Sequence, residues 1–173
     1  MAAKESKLKP GSKLGEILKT LQDYNIATYT GEDDGYDYLR EGDYCITVLN
    51  PSGDEDLYID LEEGFTLTCG EWDAHYEPYP KDYRNMMEDI RRFLEGGMYL
   101  AVVSQGEDWI CSMSVNQKEP DKAFMLKQLR EFLHSADCDV FIREIGKRGA
   151  SVNCIFWNSE KCRTIRVRPG DLK

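Results

Sequence analysis

Apolar positions recur along this chain at two spacings, and each switch between them marks a new element. Leu14, Ile17, Leu18 and Leu21 fall at helical spacing and predict a first amphipathic helix that ends near Tyr24 and Asn25. Residues 26–30 form a short β-prone run. Gly31-Glu32-Asp33-Asp34-Gly35-Tyr36-Asp37 combines turn residues with repelling charges and reads as a loop. Alternation then takes over. Tyr44, Ile46 and Val48 share one face, as do Leu57, Ile59 and Leu61, and then Phe65, Leu67 and Cys69. Asn50-Pro51-Ser52-Gly53 and Glu62-Glu63-Gly64 supply the turns between them. Three short strands with tight links predict an antiparallel meander, buried on one face and wet on the other.

The second half begins with the best-signalled helix. Tyr83, Met86, Met87, Ile90, Phe93 and Leu94 make its stripe, Pro80 and Asp82 suit its start, and Gly96-Gly97 suits its stop. Residues 98–104 are a nearly continuous apolar strand, turned by Gln105-Gly106-Glu107-Asp108 into a partner at 109–115. Pro120-Asp121 opens a third helix with Phe124, Met125, Leu129, Phe132 and Leu133 in a stripe. Residues 139–145 and 150–157 read as a hairpin around Gly146-Lys147-Arg148-Gly149, followed by a last strand at 163–168. Together these elements predict an α+β fold, mainly antiparallel sheet (a meander plus hairpins) with three helices. A flexible tail over residues 1–12 would precede a single domain at 13–173.

Composition adds a charge map. The 173 residues carry a net charge of −10, which opposes binding of nucleic acid by the chain as a whole. From residue 31 to 63 there are twelve Asp and Glu against one basic residue, Arg40; from 139 to 173 there are eight Lys and Arg against four acids. An acidic surface carrying Asp33, Asp34, Asp54 and Asp56 would suit a basic protein partner, although solvated charge runs serve solubility equally. Neither acidic run has the calcium-loop pattern, and no phosphate loop, dinucleotide fingerprint or serine elbow occurs, so no metal, cofactor or catalytic residue is assigned. Cys45, Cys69, Cys111, Cys138, Cys154 and Cys162 lack metal-ligand spacing and read as reduced core residues. The charged N-terminus has no signal-peptide core and no apolar run could span a bilayer, so a cytoplasmic location is expected.

Two places invite chemistry. Gly70-Glu71-Trp72-Asp73-Ala74-His75-Tyr76-Glu77-Pro78-Tyr79-Pro80, expected as a loop, holds one of only two histidines. There Glu71, Trp72, Asp73, His75 and Tyr76 form a candidate binding site, with Asp73 or Glu71 placed to orient the His75 imidazole. The structural alternative has Trp72 and Tyr76 closing the core. The basic set Lys147, Arg148, Lys161, Arg163, Arg166 and Arg168 could meet a phosphate or an acid, with Phe156 and Trp157 nearby for stacking. Charge on a terminal strand also deters edge-to-edge pairing. His134, in a last helical turn, suits the helix dipole.

The stretch 57–76, with Leu57-Tyr58-Ile59, Phe65-Thr66-Leu67 and the Gly-Glu-Trp turn leading to His75-Tyr76, resembles a pattern in small bacterial proteins of unassigned function. Some of these are grouped with immunity proteins of toxin systems. The resemblance implies a bacterial cytoplasmic α+β protein. Three readings therefore stand: a non-enzymatic interaction protein of acidic immunity type, a small-molecule-binding protein or enzyme with its site around His75, and a subunit that completes a homodimer across an apolar edge.

Overall fold

The computed structural model describes residues 6–53 and 55–172. The chain divides into two compact units, 1–91 and 92–173. The fold is α+β and mostly antiparallel.

In the first unit a 3₁₀ turn at Pro10–Lys13 leads into α1, Leu14–Thr20. Five strands follow: β1 Ile26–Tyr29, β2 Tyr44–Val48, β3 Leu57–Leu61, β4 Phe65–Cys69 and β5 Trp72–Tyr76. They pair in sequence order as one antiparallel meander. The three strands expected from alternation are its centre, and β1 and β5 extend it on both sides. The segment expected as a loop from Gly70 is therefore mostly strand. Gly70 takes φ 56° at the first of two turn residues, which lets β5 fold straight back on β4. The period of two puts Ile46, Val48, Leu57, Ile59, Leu61, Phe65, Leu67, Cys69 and Trp72 on one buried face. α2, Pro80–Leu94, packs there through Tyr83, whose ring lies 5.3 Å from that of Phe65. Ile17, Leu21, Met86 and Ile90 are also buried. Each such aliphatic side chain stabilises the unit by roughly 1.5–3 kcal/mol. Before α1, the Leu8 N–H donates to the Pro78 carbonyl at 2.7 Å, and Pro10 is buried. The rest of the expected tail, residues 1–5, lies outside the described residues.

The second unit holds β6 Tyr99–Gln105, β7 Asp108–Val115, α3 Lys122–Ser135, α4 Asp139–Arg148, β8 Ala150–Ile155 and β9 Arg163–Val167. Its antiparallel sheet has the order β7-β6-β8-β9. The expected hairpin strand at 139–145 is wrong: that segment is α4, so the chain has four α-helices among its described residues. The run Asp139-Val140-Phe141-Ile142-Arg143-Glu144-Ile145 is apolar at both periods, and packing settles it. Ile145 is buried, with Cys138 and Ile142 packed against the same core. Asp139 lies in the first turn, and Lys147 and Arg148 lie in the last, as the helix dipole favours. Gly149 ends the helix at φ 76°; a Cβ there would lie 2.5 Å from the Val167 carbonyl oxygen. The glycine read as a hairpin turn is a helix stop. Asp121 caps α3 by accepting from the Phe124 N–H at 2.7 Å. β9 presents Ile165 and Val167 to the core side and Arg166 to the other, as the sequence predicts.

Candidate functional site

Strand alternation sends the five residues of the Gly70 segment to different places. Trp72 is buried on the helix-covered face. Tyr76 shares that face, and its hydroxyl donates to Asp89 on α2 at 2.7 Å; burial and the Asp89 carboxylate together raise the phenol's pKa. Glu71 sits in the turn. Only Asp73 and His75 stand together on the open face of the sheet.

That open face is built from two cross-strand rows. One runs Tyr29, Cys45, Asp60, Thr66, His75; the other runs Ala27, Thr47, Tyr58, Thr68, Asp73. The loop between β1 and β2 covers the first end of these rows. Asp33 staples its start by accepting from the Thr30 N–H at 2.7 Å, and Asp43 staples its end by accepting from the Arg40 N–H at 3.1 Å. Tyr36 stacks on Tyr29 with ring centroids 4.2 Å apart, and the Tyr38 hydroxyl donates to Asp60 at 3.1 Å. Cys45 lies beneath. Burial, reinforced by the Asp60 carboxylate, pushes its thiol up to about 12.

The other end is open. Thr66 Oγ1 lies 3.0 Å from His75 Nδ1, and His75 Nε2 lies 3.0 Å from Asp73 Oδ2. With Nε2–H donating to Asp73, Nδ1 is left to accept the Thr66 hydroxyl. Hydroxyl, imidazole and carboxylate are thus connected as in a nucleophile, its base and its orienter. The imidazole side chain is 75% exposed, however, and water is not excluded as electrostatic catalysis requires.

His75 borders a shallow concavity of about 400 Å³ at the sheet end where β3 turns into β4. Arg40, Asp43, Glu62, Glu63 and Glu77 line it too. Arg40 reaches Glu63 at 3.1 Å. Glu62 is held above the ordinary carboxylate range, first by partial burial and then by Asp60 and Asp43, against which Arg40 acts. Among the described residues no three His, Cys, Asp or Glu side chains are placed to hold a metal ion.

The acidic residues singled out in the sequence are spread out. The loop with Asp33 and Asp34 leaves the sheet at the end where Tyr44 pairs with Leu61. Asp56 enters β3 at the opposite end, where its carboxylate accepts from the Asn50 N–H at 2.8 Å. Asp54 lies outside the described residues. Thr66, Arg40, Glu62, Glu63 and Glu77 were not singled out as site residues. Their only signal is the alternation that turns Thr66 outward; the pairing of β4 with β5 brings His75 to it.

The other expectations divide. Cys45, Cys69, Cys111 and Cys154 are buried free thiols, Cys138 is partly buried, and Cys162 is exposed rather than a core residue. Phe156 and Trp157 are buried, so neither offers a stacking face. His134 pairs with Asp139 at the start of α4, 2.9 Å away. No described helix is long and apolar enough to cross a membrane. No protein-family model, curated protein or solved structure matches the chain.

Proposed function

We propose that this is a non-enzymatic interaction protein whose first unit offers an acidic surface to a basic protein partner. The carrying observation is the concavity beside His75, where Asp43, Glu62, Glu63 and Glu77 outnumber the two cations, Lys7 and Arg40. The crowding is felt locally, since Asp60 and Asp43 help raise the pKa of Glu62. It is also general: residues 1–91 carry 21 Asp and Glu against 9 Lys and Arg, whereas residues 92–173 carry 11 against 13. The negative field therefore belongs to the first unit, where it would steer a basic partner and raise its on-rate. The resemblance of residues 57–76 to immunity-type proteins agrees with such a partner being a basic toxin. The free cysteines agree with a reducing, cytoplasmic setting.

The test compares capture by the wild type and by the D43N/E62Q/E63Q/E77Q variant. The wild type is expected to hold a basic protein whose association slows with added salt, and the variant to lose most of that rate. Equal on-rates for both at low salt would reject the reading.

One observation favours a second reading, a small-molecule site or enzyme at His75: the connected Thr66, His75 and Asp73 beside the same concavity. Saturable hydrolysis of an activated ester, lost in both T66V and H75N, would support it. A rate no greater than that of free imidazole would count against it.

A further inference from the structure

We propose that the second unit binds a nucleoside phosphate at the Gly106 end of its sheet, with Trp109 as the stacking ring and Arg148 and Arg166 as the phosphate-holding cations.

Strand register builds the site. Trp109 on β7 pairs with Ser104 on β6, Ser104 with Ser151 on β8, and Ser151 with Arg166 on β9. The row crosses all four strands on the face opposite the core residues Ala101, Val103, Val152 and Val167. Trp109 reaches that face because the register shifts between Val103 and Ser104. Cys111 pairs with Val103 and Trp109 with Ser104, which leaves Ile110 as the extra residue of a bulge. Re-aiming one side chain is what a bulge does. Trp109 is consequently 54% exposed, whereas Trp72 and Trp157 are buried.

The row has the profile of a trough. A large flat ring stands at one side, a long guanidinium at the other, and two small hydroxyl residues form the floor between them. Neighbouring strands lie about 4.8 Å apart, so three steps separate the Trp109 and Arg166 backbones by roughly 14 Å. At this end of the sheet Arg148, the last residue of α4, joins Arg166, Ser151 and Gly106 around a concavity of about 350 Å³.

Charge says what fits. Lys122, Lys147 and Arg163 of this unit are paired with Asp171, Glu144 and Glu119. Arg148 and Arg166 make no ion pair among the described residues. Two unneutralised guanidinium forks beside a concavity suit the oxygens of one phosphate. An indole face takes a planar base without regard to its identity. A single nucleotide is the occupant, because the concavity gathers two guanidinium groups, enough for one phosphate, rather than a track of cations along a polyanion.

The full-length protein should be tested by equilibrium dialysis with adenosine monophosphate, in parallel with tryptophan fluorescence, where Trp109 is the accessible reporter. Saturable binding with quenching is expected, and inorganic phosphate should compete. Trp109→Ala should weaken binding about tenfold by dialysis. R148Q/R166Q should weaken it about tenfold or more while leaving adenosine binding unchanged. All three positions are exposed, so thermal unfolding should match the wild type. Absence of saturable binding by the wild type, equal affinity in R148Q/R166Q, or tighter binding per nucleotide of a single-stranded oligonucleotide would each overturn the proposal.

Discussion

The Tyr76 hydroxyl donates to the Asp89 carboxylate at 2.7 Å and ties the last strand of the first sheet to α2. Both groups are partly buried. Tyr76→Phe would leave the carboxylate without this donor, at a cost of about 1.5–3 kcal/mol for a hydrogen bond to a charged group. Urea unfolding of the first-unit signal should show the loss, with the slope unchanged. A variant as stable as the wild type would mean that water replaces the phenol.

The cap of α3 is a second measurable contact. Asp121 accepts from the Phe124 N–H, and D121A removes that acceptor. The expected loss is about 1 kcal/mol, with D121N or D121S retaining most of the stability. Thermal unfolding followed by circular dichroism checks the series.

Thiol chemistry should separate the six cysteines. Burial pushes Cys45 up to about 12 and Cys111 and Cys154 up to about 11, and Cys69 is buried as well. Cys162 is exposed, with its sulfur 3.3 Å from the Phe156 nitrogen. A disulfide reagent on the native protein should therefore label Cys162 first, and C162S should remove the fast phase. The four buried thiols should react only after unfolding.

Protonation of His134 gives a pH-dependent prediction. Its hydrogen bond to Asp139, and then the charge of that carboxylate, raise its pKa above the ordinary 6.5. A raised folded value means that the pair contributes fully below the unfolded imidazole value. The contribution is lost as pH rises through the raised one. Imidazole resonances followed by NMR should show His134 titrating above 6.5, and D139N should return it toward that value. Both groups are exposed, so added salt should shrink the shift.

Much of the fold was legible in the sequence because its signals are local. Alternation at Leu57, Ile59, Leu61 and at Phe65, Leu67, Cys69 reflects one buried sheet face, and the stripe from Tyr83 to Leu94 reflects one buried helix face. The same chain shows where local signals stop. Residues 139–145 satisfy both periods, and only the packing of Ile142 and Ile145 makes them helical. The turn at Gly70 looked like loop chemistry because glycine serves a long loop and a two-residue hairpin equally well.

By itself the sequence determined the α+β class, the antiparallel meander, three of the four α-helices among the described residues and the acidic bias of the first half. Each follows from neighbours along the chain. Tertiary structure alone decided which of Trp72, Asp73, His75 and Tyr76 face water, since that depends on the register of β5 against β4. It alone set Thr66 beside His75 across the β4–β5 hairpin, and Trp109 in one row with Arg166, the latter through hydrogen bonds between strands distant in sequence. Such bonds leave no periodic trace in the residues they join.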